Sequence, residues 1–400
     1  MTSVTSAFPR HSERSEAESK YPSRHPGQDV FPPCRPERSP EGAKSKDLSL
    51  RTLLKKAATR LASAGIDTPE HDAKLLLAEA IGCELRDIDK AMLMGESVEE
   101  MLRLRPPAFA QHDGKPEQPS AQHDSVAGCH PERSPEGAES KDLLSHPLVR
   151  FEAMVARRTK REPLQYIVGH APFRWLDLKV GPGVFIPRPE TEAVVQAGLD
   201  WLAAHSLATP RMVDLCAGSG AIGLSIATEV PGAEVWAVEL AEKTIAWTRR
   251  NAVETLGCDE IPSKCAAGEK STSFGQGRYH LLQGDATAAE TLAELDGTVD
   301  AVITNPPYVP LAAIPEQPEV RDHDPALALY GGSDDGLRIP ERIIDRAACL
   351  LRPGGLLVME HDITQGVALV SYAKAAGFST ARTGQDWTGR DRFLTACLDS

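Results

Sequence analysis

From Met212 onward, short apolar runs alternate with helical segments. Few folds accept that pattern, because strands joined by crossover helices pair in parallel and need both sheet faces covered. Met212-Val213-Asp214-Leu215 reads as the first strand and Glu234-Val235-Trp236-Ala237-Val238 as the second. His280-Leu281-Leu282 is the third and Val299-Asp300-Ala301-Val302-Ile303 the fourth. Leu351 to Gly355 is a turn into a fifth strand, Leu356 to Glu360, and Arg392 to Leu398 is the last strand. Residues 259–278 read as a polar surface excursion.

Open sheets of this kind bind ligands beyond the carboxyl ends of their strands. The first strand runs into Cys216-Ala217-Gly218-Ser219-Gly220, a glycine-rich turn before a helix over 221–228. Glycines there let a ligand approach the backbone at a helix N-terminus. Glu239 ends the second strand, 19 residues after Gly220, where a carboxylate binds both hydroxyls of a ribose. The third glycine of a dinucleotide fingerprint is displaced, since Ile222 and Gly223 follow Gly220. A nucleoside without pyrophosphate, such as S-adenosylmethionine, therefore fits better than NAD. Asp285, after the third strand, is placed for an adenine amino group.

The fourth strand delivers Thr304-Asn305-Pro306-Pro307-Tyr308. Two prolines end the ladder and fix the loop. The Asn305 side-chain oxygen and the Pro306 carbonyl are acceptors for a target NH2, and proline adds no N–H donor. Tyr308 offers a ring to pack on a flat group. The chemistry that wants such a loop is methylation of a planar nitrogen, where positioning lowers the barrier without a general base. An ordinary Pro-Pro turn is the plain alternative. Glu360 and Asp391 as paired hydrolytic carboxylates are discounted, because no nucleophile or metal set accompanies them.

Upstream, residues 48–104 read as a helical unit. Leu50, Leu53, Leu54, Ala57 and Leu61 share one helix face. Thr68 caps a second helix with Pro69 at its first position, a stripe of Leu75, Leu76 and Ala80, and Gly82 at its end. Ser97 and Glu100 make a capping box for a third. Helical pattern resumes at Leu148, Phe151, Met154 and Val155, and 163–169 is a linker. A β-hairpin follows, 173–180 with 184–186 around Gly181-Pro182-Gly183. Arg188 and Glu190 form an ion pair or frame a cofactor lid, before a helix over 191–203.

Residues 1–46 and 106–146 are low in complexity, and the first reads as disordered. Cys34 to Leu48 recurs at Cys129 to Leu143 with two changes, Arg35/His130 and Lys44/Glu139. Such copies read as translated repetitive DNA without a role in the core function, with a docking peptide as the alternative. His112 and His123 read as solvated loop residues. The eight cysteines are scattered without a C-x-x-C pair, so a disulfide framework and a metal site are not expected, and the cytoplasm is. No apolar run approaches the ~20 residues of a membrane span, and no signal peptide is visible. Net charge is −13, of which 24 Lys+Arg against 33 Asp+Glu leave −9 beyond residue 146, so no basic face for nucleic acid is expected.

These residues resemble the peptide chain release factor glutamine methyltransferases over roughly 48–104 and 147–400. The shared motifs are Pro163–Gly169, Ile186–Glu192, Asp214–Gly220 and Asn305–Tyr308. Glu319 to Leu337 and Gly389-Arg390-Asp391-Arg392 complete them. The resemblance implies an α/β fold: a seven-stranded Rossmann-like class I methyltransferase sheet (191–400), a β-hairpin linker (169–190) and a small helical substrate-recognition domain (47–168, with the insertion at 106–146). It implies methyl transfer from S-adenosylmethionine to the amide nitrogen of the Gly-Gly-Gln glutamine of class I release factors. Cys216, Ala217, Gly218, Ser219 and Gly220 would then line the methionine end, Glu239 the ribose, and Asp285 and Ala286 the adenine. Asn305, Pro306, Pro307 and Tyr308 would hold the glutamine. Cys216 and Ala217 stand where relatives usually carry Gly and Thr, Glu239 where Asp is common, and Glu360-His361 departs from the commoner Glu-Ile/Leu-Gly. A glutamine methylase of a large-subunit ribosomal protein, an adenine-N6 methylase and a non-catalytic binding protein are the competing readings.

Overall fold

The computed structural model describes residues 49–103, 146–257 and 271–399. The 1–46 extension, the repeat copies, His112, His123 and all of the 106–146 insertion but His146 lie outside the described residues.

Helix α1 (Leu50–Ser63) buries the expected face, Leu50, Leu53, Leu54, Ala57 and Leu61. In α2 (Pro69–Ile81) Pro69 opens the helix and Gly82 closes it in the left-handed region, φ 77. The Thr68 hydroxyl does not cap the backbone; it donates to Asp72 Oδ1 at 2.9 Å. The buried stripe holds Leu76 and Ala80 with Ala73, Leu77 and Ile81, while Leu75 is only half-buried. A helix absent from the expectation, α3 (Leu85–Met94), follows. The Ser97/Glu100 box opens α4 (Val98–Arg103) as expected, with Ser97 N to Glu100 Oε2 2.7 Å and Glu100 N to Ser97 Oγ 3.2 Å. Helix α5 (Pro147–Arg158) adds Phe151, Met154 and Val155 to the same core. The expected linker is a short helix, α6 (Leu164–Val168), that buries Tyr166 and Ile167.

The hairpin lies earlier than the glycines suggest. Strands β1 (His170–Phe173) and β2 (Leu176–Lys179) pair antiparallel around Arg174-Trp175, and Gly181-Pro182-Gly183 comes after them. Arg174 takes the tight turn at φ 51, held by Glu229, Gln196 and the Glu192 carboxylate. Side-chain anchorage replaces the glycine that such a turn ordinarily demands.

The second half is a doubly wound sheet. In chain order its elements are α7 (Pro189–His205), β3 (Arg211–Asp214), α8 (Ala221–Glu229), β4 (Glu234–Glu239), α9 (Glu242–Leu256), β5 (Ser271–Phe274), β6 (Tyr279–Gln283) and β7 (Val299–Thr304). Then come α10 (Pro318–His323), α11 (Ala326–Leu329), α12 (Arg338–Leu350), β8 (Leu351–Glu360), α13 (Gly366–Ala375), β9 (Phe378–Gln385) and β10 (Asp391–Leu398). The strand order is β5-β6-β4-β3-β7-β8-β10-β9. From β6 to β8 neighbours are parallel, and β10 runs antiparallel to β8 and β9. The seven expected strands are present, and β5 adds an eighth, antiparallel edge inside the segment read as a polar excursion. The turn expected at 351–355 is an irregularity within β8: the register steps from Val299↔Leu351 to Ala301↔Leu356.

Successive side chains of a strand face opposite ways. Met212, Ala301 and Val358 accordingly pack with α7 and α8, while Val213, Val302 and Leu357 pack with α12 and α13. β7 is buried at all six positions, so it is a rigid base for the loop that follows it.

Candidate active site

A cavity of about 910 Å³ opens where β3, β4, β6 and β7 end. Cys216, Ala217, Gly218, Ser219, Glu239, Asp285, Ala286, Asn305 and Pro307 line it. Gly220, Pro306 and Tyr308 are set back from its wall.

The glycine-rich turn is held from both sides. Asp214 is fully buried; its Oδ1 accepts from Cys216 N at 3.3 Å and its Oδ2 from Gly223 N at 3.2 Å. Burial pushes this carboxyl up to about 7, against the two backbone N–H groups and reinforced by the Glu239 charge. From α9, Thr248 Oγ1 donates to Gly218 O at 2.6 Å and Asn251 Nδ2 to Ser219 O at 2.8 Å. Neither residue stands out in the sequence. Gly220 begins α8 at φ 90, and a Cβ there would press on Leu224 and Thr248.

Glu239 accepts from Gly218 N at 2.9 Å and from Ala241 N at 2.8 Å, one on each oxygen. The Leu240 N–H acts on the same carboxylate. Burial raises its pKa. Burial, reinforced by the Glu239 and Asp214 charges, likewise pushes the Cys216 thiol up. Asp285 Oδ1 takes both Thr287 N and Thr287 Oγ1 at 2.8 Å, leaving Oδ2 uncommitted among the described residues.

At the end of β7, Asn305 Nδ2 donates to Thr191 Oγ1 at 3.3 Å. Thr191 Oγ1 donates to Glu360 Oε2 at 2.7 Å, and Tyr308 OH to Glu360 Oε1 at 3.0 Å. Among the described residues no group donates to Asn305 Oδ1 or to the Pro306 carbonyl. Glu360 is thus partnered by Thr191 and Tyr308, whereas Asp391 is exposed and accepts from Gln385, so the two carboxylates do not form a pair.

A strap over 309–337 closes the other wall, with His323, Pro325, Leu327 and Tyr330 facing the cavity. Val309 and Tyr330 form a parallel bridge, and Gly331 N donates to Val309 O at 2.9 Å. Gln365 Nε2 ties Tyr308 O (2.8 Å) to Asp335 O (2.9 Å). Gly336, at φ 74, lies so close to Tyr308 O that any side chain would collide, which gives that glycine its reason. Ion pairs pin the strap: Arg188 to Asp324 at 2.6 Å, and Glu319 to Arg158 at 2.7 Å and Arg161 at 2.6 Å. Arg188 therefore pairs with Asp324, 136 residues away, and not with Glu190. Among the described residues no group of three or more His, Cys, Asp or Glu is arranged to hold a metal ion.

Residues 52–92 and 138–169 match the family model described as the PrmC N-terminal domain, and 166–320 match Conserved hypothetical protein 95. The release factor glutamine methyltransferase of Bifidobacterium longum is 57% identical over 344 residues, 86% of this chain and 98% of its own length. That of Mycolicibacterium smegmatis is 37% identical over 351 residues, 87% and 97% of the two chains. The 4-amino-L-phenylalanine/4-methylamino-L-phenylalanine methyltransferase of Streptomyces pristinaespiralis is 39% identical over 231 residues, 57% and 70%.

Proposed function

This chain belongs to the release factor glutamine methyltransferase family, and from that premise we propose that it methylates the side-chain amide nitrogen of the Gly-Gly-Gln glutamine in class I peptide chain release factors, using S-adenosylmethionine. The observation that carries the reading is the pair of uncommitted acceptors, Asn305 Oδ1 and the Pro306 carbonyl, beside a cavity lined by Gly218, Glu239 and Asp285. The Glu239 carboxylate suits ribose hydroxyls, Asp285 Oδ2 with Ala286 an adenine edge, and Cys216 to Gly220 the methionine end. When bound, S-adenosylmethionine supplies an electrophilic methyl group on a sulfonium.

An amide nitrogen is a poor nucleophile because its lone pair is delocalised. Asn305 and Pro306 each accept one N–H of the target, which fixes the nitrogen and keeps electron density on it. Pro306 and Pro307 hold that geometry rigidly, and the fully buried β7 beneath them absorbs no displacement. Tyr308 contributes by bracing the loop against Glu360. Alignment and exclusion of water supply the rate.

The helical domain serves substrate recognition on this reading. A second cavity, about 710 Å³, lies between it, the hairpin and the strap, walled by Asp67, Glu79, Glu84 and Asp177 and also by Arg158, Arg161 and Arg188, with Glu319 held by Arg158 and Arg161. The substrate on this reading is a protein, and no direct contact with nucleic acid is expected. No described helix is long and apolar enough to cross a membrane, and we assign the work to the cytoplasm, in keeping with the scattered cysteines.

Labelled S-adenosylmethionine should be offered with purified release factor, large-subunit ribosomal protein and DNA in separate reactions. Label on the release factor, abolished when its Gly-Gly-Gln glutamine is replaced, is the expected result. Label on the ribosomal protein or DNA alone would overturn the substrate.

A further inference from the structure

The hydrogen-bond chain behind Asn305 has a direction. A carboxylate only accepts, a hydroxyl has one proton to give, and an amide has a donor end and an acceptor end. Glu360 is 2% exposed, and its two oxygens receive the Thr191 and Tyr308 hydroxyls. Thr191, itself 3% exposed on the first turn of α7, thereby spends its only proton on Glu360. Its lone pairs can then take a donor and nothing else. Asn305 Nδ2 is that donor, at 3.3 Å. With the amide turned over, Oδ1 would meet the Thr191 oxygen with no proton between them.

We propose that Thr191 and Glu360 are positioning residues that fix which way round the Asn305 amide sits, so that the cavity meets the target with an acceptor and selects a group offering N–H. The proposal rests on the methyl-transfer reading above. It also accounts for the Ile186–Glu192 motif, since Pro187, Arg188 and Pro189 set the start of α7, and that start places Thr191 between β7 and β8.

The direction depends on charge at Glu360. Burial raises its carboxyl pKa, opposed by the Thr191 and Tyr308 hydrogen bonds and by Arg392 from β10, with Glu190 of α7 adding to the rise. The neighbouring His361 is held towards its neutral form by burial. A protonated Glu360 becomes a donor, which releases the Thr191 proton towards Asn305 and removes the preference for one amide orientation.

The test compares Thr191→Val and Thr191→Ser with the wild type in steady-state methylation of release factor, alongside calorimetric affinity for S-adenosylmethionine and thermal unfolding. For Thr191→Val kcat should fall about tenfold, the worth of ~1.4 kcal/mol, with cofactor affinity held. Thr191→Ser, which keeps the hydroxyl, should recover most of the turnover. The wild-type advantage over Thr191→Val should shrink towards one as the medium is acidified, and taking this ratio cancels titrations elsewhere in the site. Wild-type turnover in Thr191→Val, equal loss in Thr191→Ser, or a ratio indifferent to pH would each overturn the proposal. If Thr191→Val does not fold, Glu360→Gln carries the test: slower turnover with intact cofactor binding is expected, and unchanged turnover refutes it. A wild type inactive on release factor sinks the functional reading and the proposal together, whereas an active wild type with an indifferent Thr191→Val sinks the proposal alone.

Discussion

At the scale of the residue, Asn305 is asked to act through one oxygen atom. Replacing it with alanine removes that acceptor and leaves the Pro306 carbonyl, the glycine-rich turn and Glu239 untouched. An oriented hydrogen-bonding group at a reacting centre is worth on the order of 3 kcal/mol, so Asn305→Ala should lower kcat about a hundredfold. Affinity for S-adenosylmethionine, followed by calorimetry, should change only a fewfold. Equal losses in both would mean that Asn305 binds cofactor and does not hold the target. Asn305 could be found in the sequence because its signal is local: a buried strand, two prolines and an aromatic within five residues. Thr191 and Glu360 could not be assigned there, since they meet across 169 residues and Thr191 reads only as a helix start. Thr248 and Asn251 are hidden for the same reason, being polar positions on a helix whose partners are backbone carbonyls far off in the chain.

At the scale of the element, the strap shows what sequence pattern conveys and what it omits. Its glycines and carboxylates stand out as a motif, but the partners that pin it, Arg188, Arg158 and Arg161, come from α5, the turn after it and the start of α7. Asp324 is the most constrained of its groups. Its Oδ2 receives Arg188, while its Oδ1 is buried without a hydrogen-bond partner among the described residues. Burial pushes this carboxyl up to about 6, against the pull of Arg188. The folded chain therefore holds this proton more tightly than the unfolded chain does. Stability from Asp324 is greatest below about pH 4, the unfolded value, and is lost as pH rises through 6. Compared with Asp324→Asn, which does not titrate, the wild type should gain about 2 kcal/mol between pH 7 and pH 4. Thermal unfolding of both proteins across that range measures it, and a constant difference would return Asp324 to ordinary carboxylate behaviour. Elements with a weak apolar signal are the ones the pattern hides. The edge strand β5 is STSF and β9 is FSTARTGQ, each with a single buried apolar anchor, Phe274 and Phe378, and hydrogen bonds to a neighbouring strand hold each in place. α3 buries only Ile88 and Ala91. The buried strands β3, β4, β7 and the last five residues of β8, by contrast, could be read directly as apolar runs.

At the scale of the whole molecule, the question is how much of the chain the reaction needs. The match to the PrmC N-terminal domain stops at residue 92 and resumes at 138, and the Bifidobacterium longum relative is covered over 98% of its length by 86% of this chain. The near-identical copies at 34–48 and 129–143 fall largely outside the matched stretches. On either side of the insertion, Val98 and Met101 of α4 and Phe151, Met154 and Val155 of α5 belong to one core, so the two flanks are held together by packing independent of what joins them. Arg60 of α1 also meets Glu152 of α5. Deleting residues 1–46 and 106–145 should accordingly leave methylation of release factor within about twofold, because a change of ~1 kcal/mol in closure free energy still leaves a stable chain folded. Unfolding midpoints and labelled methyl transfer, measured side by side, decide the matter. A deletion protein that unfolds cooperatively at the wild-type temperature yet transfers no methyl group would show that the repeated peptide takes part in engaging the release factor, and the docking alternative would replace that of inert translated repeats.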